Sequence, residues 1–133
     1  MSELSNIPAH AVLALAGFSL QNLRRGADRY DQQVLECDFA GAATQKEVEG
    51  ALTTTFGLKN TAGKPLEALY SRLTGIKGEG ETPGLLVLLQ NIPNDEKFPT
   101  ASREALLDVF REVADFFYEK NMAFRVFYSI KKH

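Results

Sequence analysis

The run Leu85-Leu86-Val87-Leu88-Leu89 constrains this chain more than any other stretch of it. It has the length of a strand but lacks the alternation of a strand with one wet face. A strand that is apolar throughout is covered on both sides, as in a parallel sheet packed with helices. The flanking segments must then supply the cover.

Those segments read in order. Val34–Asp38 is a short β-compatible run. Thr44-Gln45-Lys46-Glu47 has the spacing of a capping box, and Val48, Ala51, Leu52 and Phe56 follow at helical intervals, predicting a helix to about Thr55. Pro65 suits a first helical position; Leu66, Leu69, Tyr70 and Leu73 make one apolar stripe, and Gly75 can close that short helix. Ser102–Lys120 is the longest predicted helix, with Leu106, Phe110, Val113 and Phe117 inward and Asn121 as the residue beyond its end. Phe124–Ile130 is aromatic and β-branched and reads as a final strand. Crossovers that contain helices join parallel strands, so the order predicts an α/β fold with a three-stranded parallel sheet packed with helices.

Residues 1–33 carry a weaker pattern. Pro8 suits the start of a helix over Ala11–Leu23, with Leu13, Leu20 and Leu23 apolar and Gly26 at its end; Gly17 in the middle argues against it. This extension precedes a domain over 34–131, and three roles fit it: a cap on the sheet edge, an extra helix, or a dimerisation segment.

Several function classes lose support at this stage. A formal charge of −2 lacks the basic excess of a general nucleic-acid binder. No apolar run approaches a membrane span, and Ala11–Phe18 lacks the basic residues that precede the apolar part of a signal peptide, so a cytoplasmic protein is expected. The single Cys37 lies in a predicted strand and reads as a buried structural thiol. His10 and His133 have no partners at metal-ligand spacing and read as exposed, non-functional residues. Gly75, Gly78 and Gly80 match no phosphate-cradle spacing and precede a strand rather than a helix. No cofactor or catalytic set emerges, and binding rather than catalysis is expected.

One charge pattern points to binding. On the long helix Glu104, Asp108, Glu112, Asp115 and Glu119 recur at steps of four, four, three and four. At 3.6 residues per turn they fall within roughly 80° of one another, nearly opposite the apolar stripe. Like charges at i, i+4 are mildly unfavourable, so five acids with no base among them suit a basic partner better than plain solvent. On the short helix Glu67 and Ser71 lie one turn apart beside Lys64.

The segment Gly63-Lys-Pro-Leu-Glu67-Ala-Leu-Tyr70-Ser-Arg-Leu-Thr-Gly75 resembles the G-x-N-L-D-A-L-W/Y-D-x-L-T helix of the barstar family of ribonuclease inhibitors. Leu106-Leu-Asp-Val-Phe110-Arg-Glu112 and the intervening strand from Gly84 to Leu89 add to the likeness, which spans roughly residues 33–131. The resemblance implies a barstar-like parallel sheet. It also implies a protein that plugs a basic ribonuclease active site with carboxylates placed where RNA phosphates would sit. On these grounds the expected binding surface comprises Asn60, Gly63, Glu67, Ser71 and Ile76 around the short helix. Asp108, Glu112 and Asp115 extend it on the long helix.

The departures from the family pattern shift the weight within that surface. Ser71 stands where the family has its most important acid, and Thr61, Ala62 and Ile76 replace aromatic residues. Lys59 and Lys64 add positive charge, and Pro65 replaces an Asn. The expected partner is a basic ribonuclease or toxin protein, met without direct nucleic-acid or membrane contact by a monomer. A non-nuclease protein partner is the alternative.

Overall fold

A computed structural model describes residues 7–58, 64–75 and 84–131. In chain order the elements are β1 (His10–Ala14), α1 (Leu20–Arg29), β2 (Gln33–Asp38), α2 (Gln45–Phe56) and α3 (Pro65–Thr74). They continue with β3 (Gly84–Ile92), α4 (Thr100–Glu119) and β4 (Ala123–Ile130). The strands form one parallel sheet in the order β1-β4-β3-β2.

The sheet therefore has four strands among the described residues, not the three expected from the sequence. The added strand is β1, inside the segment where a helix over Ala11–Leu23 was expected. Val12 packs on the α2–α4 side and Leu13 on the α1 side, an alternation that belongs to a strand. Gly17 then adopts φ +86, a left-handed conformation that breaks any continuous helix there. Ser19 starts a fresh one, its hydroxyl accepting from the Asn22 N–H at 3.3 Å. Gly26 is not the end of this helix but a buried residue within it, and Asp31 at φ 57 makes the exit. The segment both caps a sheet edge and forms an extra helix.

The Leu85–Leu89 run feeds two cores. Leu85, Val87 and Leu89 face α2, α3 and α4, together with Leu52, Leu69, Leu73, Phe110, Val113 and Phe117. Leu86 and Leu88 face the other way, against Leu23 and Ala27 of α1 and Phe127 of β4. The whole run is 0% exposed, as a strand covered on both sides must be.

Arg125 ties the N-terminal segment down. It is 8% exposed on the α1 side of β4. Its Nε donates to the Pro8 carbonyl at 3.1 Å and its Nη2 to the Ile7 carbonyl at 3.3 Å. Burial pushes its pKa down, yet the guanidinium stays charged and these carbonyls help to meet its donors.

The expected caps are present where the sequence placed them. Thr44 and Glu47 form the reciprocal capping box of α2, Pro65 opens α3, and Asn121 takes a left-handed φ of 57 just beyond α4. The Glu47 carboxylate accepts from the Ala43 N–H, from the Thr44 hydroxyl and from the Thr44 N–H, and these bonds hold its pKa below the usual glutamate range.

Two outcomes follow from this packing. Leu23→Ala is expected to cost about 2–5 kcal/mol in urea unfolding, against about 0.5 kcal/mol or less for the exposed Gln21→Ala. A depressed carboxyl contributes stability above its unfolded pKa and loses it as pH falls through its folded pKa. The stability advantage of the native chain over Glu47→Gln should therefore be full at neutral pH. It should shrink as pH drops below the usual glutamate range, as read from thermal midpoints across pH.

Candidate protein-binding site

α3 and α4 lie side by side over the larger core, and their inward stripes decide what faces outward. Leu69 and Leu73 of α3 and Leu106, Phe110, Val113 and Phe117 of α4 are buried. The opposite faces expose Glu67 and Ser71 on α3, and Glu104, Asp108, Glu112, Asp115 and Glu119 on α4.

The acidic stripe of α4 is not uniform. Arg111 reaches back along the helix, its Nη1 2.7 Å from Asp108 Oδ1 and 3.5 Å from Glu104 Oε1. This corrects the expectation of five acids with no base among them: a residue three positions on shares the face closely enough to pair. The bond to Asp108 raises the Arg111 pKa, and the two upper carboxylates are partly neutralised. Glu112, Asp115 and Glu119 have no ion pair among the described residues.

These three carboxylates rim a shallow cleft of about 340 Å³ on the α3–α4 seam, whose remaining lining is the rings of Tyr70 and Phe116. Both rings are half-buried and pack on the core, so the cleft has fixed aromatic walls and a solvated acidic rim. Lys120 Nζ stands 5.6 Å from the centroid of the Phe116 ring, so the chain's own ammonium already uses that π face. Aromatic surface with carboxylates beside it suits an arginine or lysine side chain: the ring covers its flat or aliphatic part while the charge pairs at the rim.

The expected binding residues divide accordingly. Glu112 and Asp115 line the cleft, whereas Asp108 belongs to the Arg111 pair one turn away. Glu67 and Ser71 are exposed on α3 but do not line it. Asn60, Gly63 and Ile76 lie outside the described residues, as do Lys59, Thr61, Ala62 and most of the Gly75–Gly80 loop. The sequence pattern gives Tyr70 a packing position and does not mark Phe116, yet both line the cleft. The signal for Phe116 is an apolar residue directly beside Asp115 on the flank of the acidic face.

The other reactive side chains have structural positions. Cys37 is 1% exposed in β2, and burial pushes its thiol pKa up. His10 is not exposed as expected. It is half-buried, with Nε2 2.8 Å from the Met122 carbonyl and its ring edge-on to Tyr118; His133 lies outside the described residues. Among the described residues no group of His, Cys, Asp or Glu side chains could hold a metal ion, and no helix is long and apolar enough to cross a membrane.

A parallel sheet that presents an acidic, aromatic-lined seam between two helices has the make-up of a protein-binding domain. The chain matches the family model described as barstar (barnase inhibitor) over residues 32–129, most of its length, and it belongs to the barstar family. Members of that family are inhibitors, not enzymes. No curated protein matches the sequence. The matched segment begins just before β2, so β1 and α1 lie upstream of it.

Native protein is expected to leave Cys37 unmodified by an aromatic disulfide reagent, with labelling only as fast as the chain unfolds. Rapid stoichiometric reaction in native buffer would contradict a structural thiol.

Proposed function

We propose that this protein is an inhibitor or immunity protein that masks the basic active site of a ribonuclease or related toxin. The masking surface is that of α4, α3 and the loop before α3. The observation that carries this reading is the Tyr70–Phe116 cleft rimmed by Glu112, Asp115 and Glu119 in a barstar-family chain. A nuclease active site is basic because it binds phosphates, and a rigid set of carboxylates exploits the same field. Electrostatic steering of this kind has the barnase–barstar pair itself as its standard example.

In this reading Glu112 and Asp115 meet basic side chains at the centre. Glu67 and Ser71 extend the contact along α3, with Asp108 at the upper margin. Asn60 and Gly63 before α3 and Ile76 after it, all outside the described residues, join the contact in this reading on the family's loop-and-helix pattern alone. The centre of the contact is displaced toward the C-terminal half of α4, because Ser71 supplies a hydroxyl where the family supplies its most important acid.

Ser71 and the exposed Lys64 also favour a second reading, a barstar-fold interaction module with a non-nuclease protein partner. Mass spectrometry of the captured partner separates the two, since a neutral or acidic partner without nuclease activity supports the second.

The first reading is tested by co-expression with candidate nucleases, where the native protein should rescue growth. Reversing Glu67, Glu112 and Asp115 together to Lys is expected to abolish rescue. It should weaken binding on the order of a hundredfold, at about 1 kcal/mol for each exposed pair lost. Asp108→Asn, whose charge Arg111 already answers, should change affinity by no more than about threefold. Binding that survives the triple reversal would contradict charge mimicry, and failure to bind any nuclease would remove the first reading.

A further inference from the structure

The two edges of the sheet, β1 and β2, are furnished differently. On β2, Glu36 is forked onto Arg24 at 2.6 and 3.0 Å, and Asp38 accepts from the Ala40 N–H and the Asn91 side chain. Charges on an edge strand discourage another chain from adding to it. β1 reads His-Ala-Val-Leu-Ala and carries no Lys, Arg, Asp, Glu or Pro.

The open valences of β1 follow from its ladder to β4. The Ala9 carbonyl accepts from the Phe124 N–H at 2.8 Å, and the Leu15 N–H donates to the Tyr128 carbonyl at 2.6 Å. A strand bonds to one neighbour through alternate residues, so Ala9, Ala11, Leu13 and Leu15 face β4. His10, Val12 and Ala14 then turn their N–H and C=O groups to the edge where no strand among the described residues pairs with β1.

We propose that this edge is a self-association surface on which a second copy of the chain pairs antiparallel, β1 against β1, about a two-fold axis at Val12. In that register Val12 faces its own counterpart and His10 faces Ala14 of the second copy. Each facing pair exchanges two hydrogen bonds, so every outward group of the three residues is matched. A register shifted by two residues leaves groups unmatched at both ends.

The surroundings of the edge are self-complementary in the same sense. At the His10 end Tyr118 is 68% exposed, its ring 5.3 Å from that of His10. At the Ala14 end Leu15, Phe18, Tyr128 and Ile130 help to line an apolar groove of about 490 Å³. Antiparallel pairing lays the exposed ring of each copy toward the groove end of the other. Because α4 presents Tyr118 to β1 but Asp115 and Glu119 to α3, the assembly leaves both acidic clefts open. The monomer expected from the sequence thus becomes a concentration-dependent dimer.

Sedimentation velocity of the full chain over a wide concentration range should show the mass rising from one copy toward two. Under mild oxidation Val12→Cys should form an interchain disulfide, because a hydrogen-bonded pair places the Cα atoms about 5.5 Å apart. Ala14→Cys, though more exposed, should not, since its counterpart lies ~13 Å away along the strand. The native Cys37 is buried and does not compete. A chain that stays monomeric throughout, or Ala14→Cys cross-linking as readily as Val12→Cys, would overturn the proposal. Should Val12→Cys lower the thermal midpoint, Ala14→Pro removes one outward N–H and leaves the β4 ladder intact. It should sharply reduce the dimer, and a dimer unaffected by it overturns the edge pairing.

Discussion

Two layers of side chains meet on β3, and the rest of the molecule keeps water from both. Leu85, Val87 and Leu89 need the three helices α2, α3 and α4; Leu86 and Leu88 need α1 and the N-terminal segment. Fully burying one such side chain is worth about 1.5–3 kcal/mol, so stripping either cover would expose a patch too costly for a domain of marginal stability. The alternation also fixes register, since a slip of one residue would exchange the two cores. Gly84 marks how close the strands come: a Cβ there would lie 2.9 Å from that of Ala123. The segment upstream of the family-matched region is therefore part of the fold's interior.

The same constraint produces the acidic face of α4. Because α4 must turn Leu106, Phe110, Val113 and Phe117 toward β3 and β4, its charged residues have one direction left. The packing of α3 beside it turns that surface into a seam with aromatic walls. Arg111 then divides the stripe, answering Glu104 and Asp108 and leaving the carboxylates near Tyr70 and Phe116 without an ion pair among the described residues. Crowding unanswered carboxylates on one seam costs a little stability in the free protein.

Much of this was legible in the sequence because the signals were local. The apolar run announced a strand covered on both sides, the Thr44–Glu47 spacing announced a cap, and the heptad-like spacing of α4 announced both its buried stripe and its acidic face. What covered the second side of β3 was not legible. His10–Ala14 is too short to separate strand from helix by periodicity, and its pairing to β4 spans more than a hundred residues of chain. The Arg111 pairing lies at the i+3 spacing from Asp108, so it belongs to the same helix face as the acids. The cleft depends on how α3 sits against α4, a tertiary relation that no spacing within either helix encodes. Ser71, by contrast, is read from sequence alone: a hydroxyl in place of an acid leaves α3 with less negative charge than the family pattern carries.

Charge on the α3–α4 seam is the centre of the functional account, and association kinetics report on it most directly. Screening shortens the reach of exposed charges from about 8 Å at physiological ionic strength to about 3 Å at 1 M salt. Stopped-flow association with a captured basic nuclease should therefore slow steeply as salt rises. The slope should flatten in a Glu112→Gln, Asp115→Gln variant whose dissociation rate and thermal midpoint are measured alongside. An association rate indifferent to salt, or a variant with the native slope, would contradict recognition by this acidic seam.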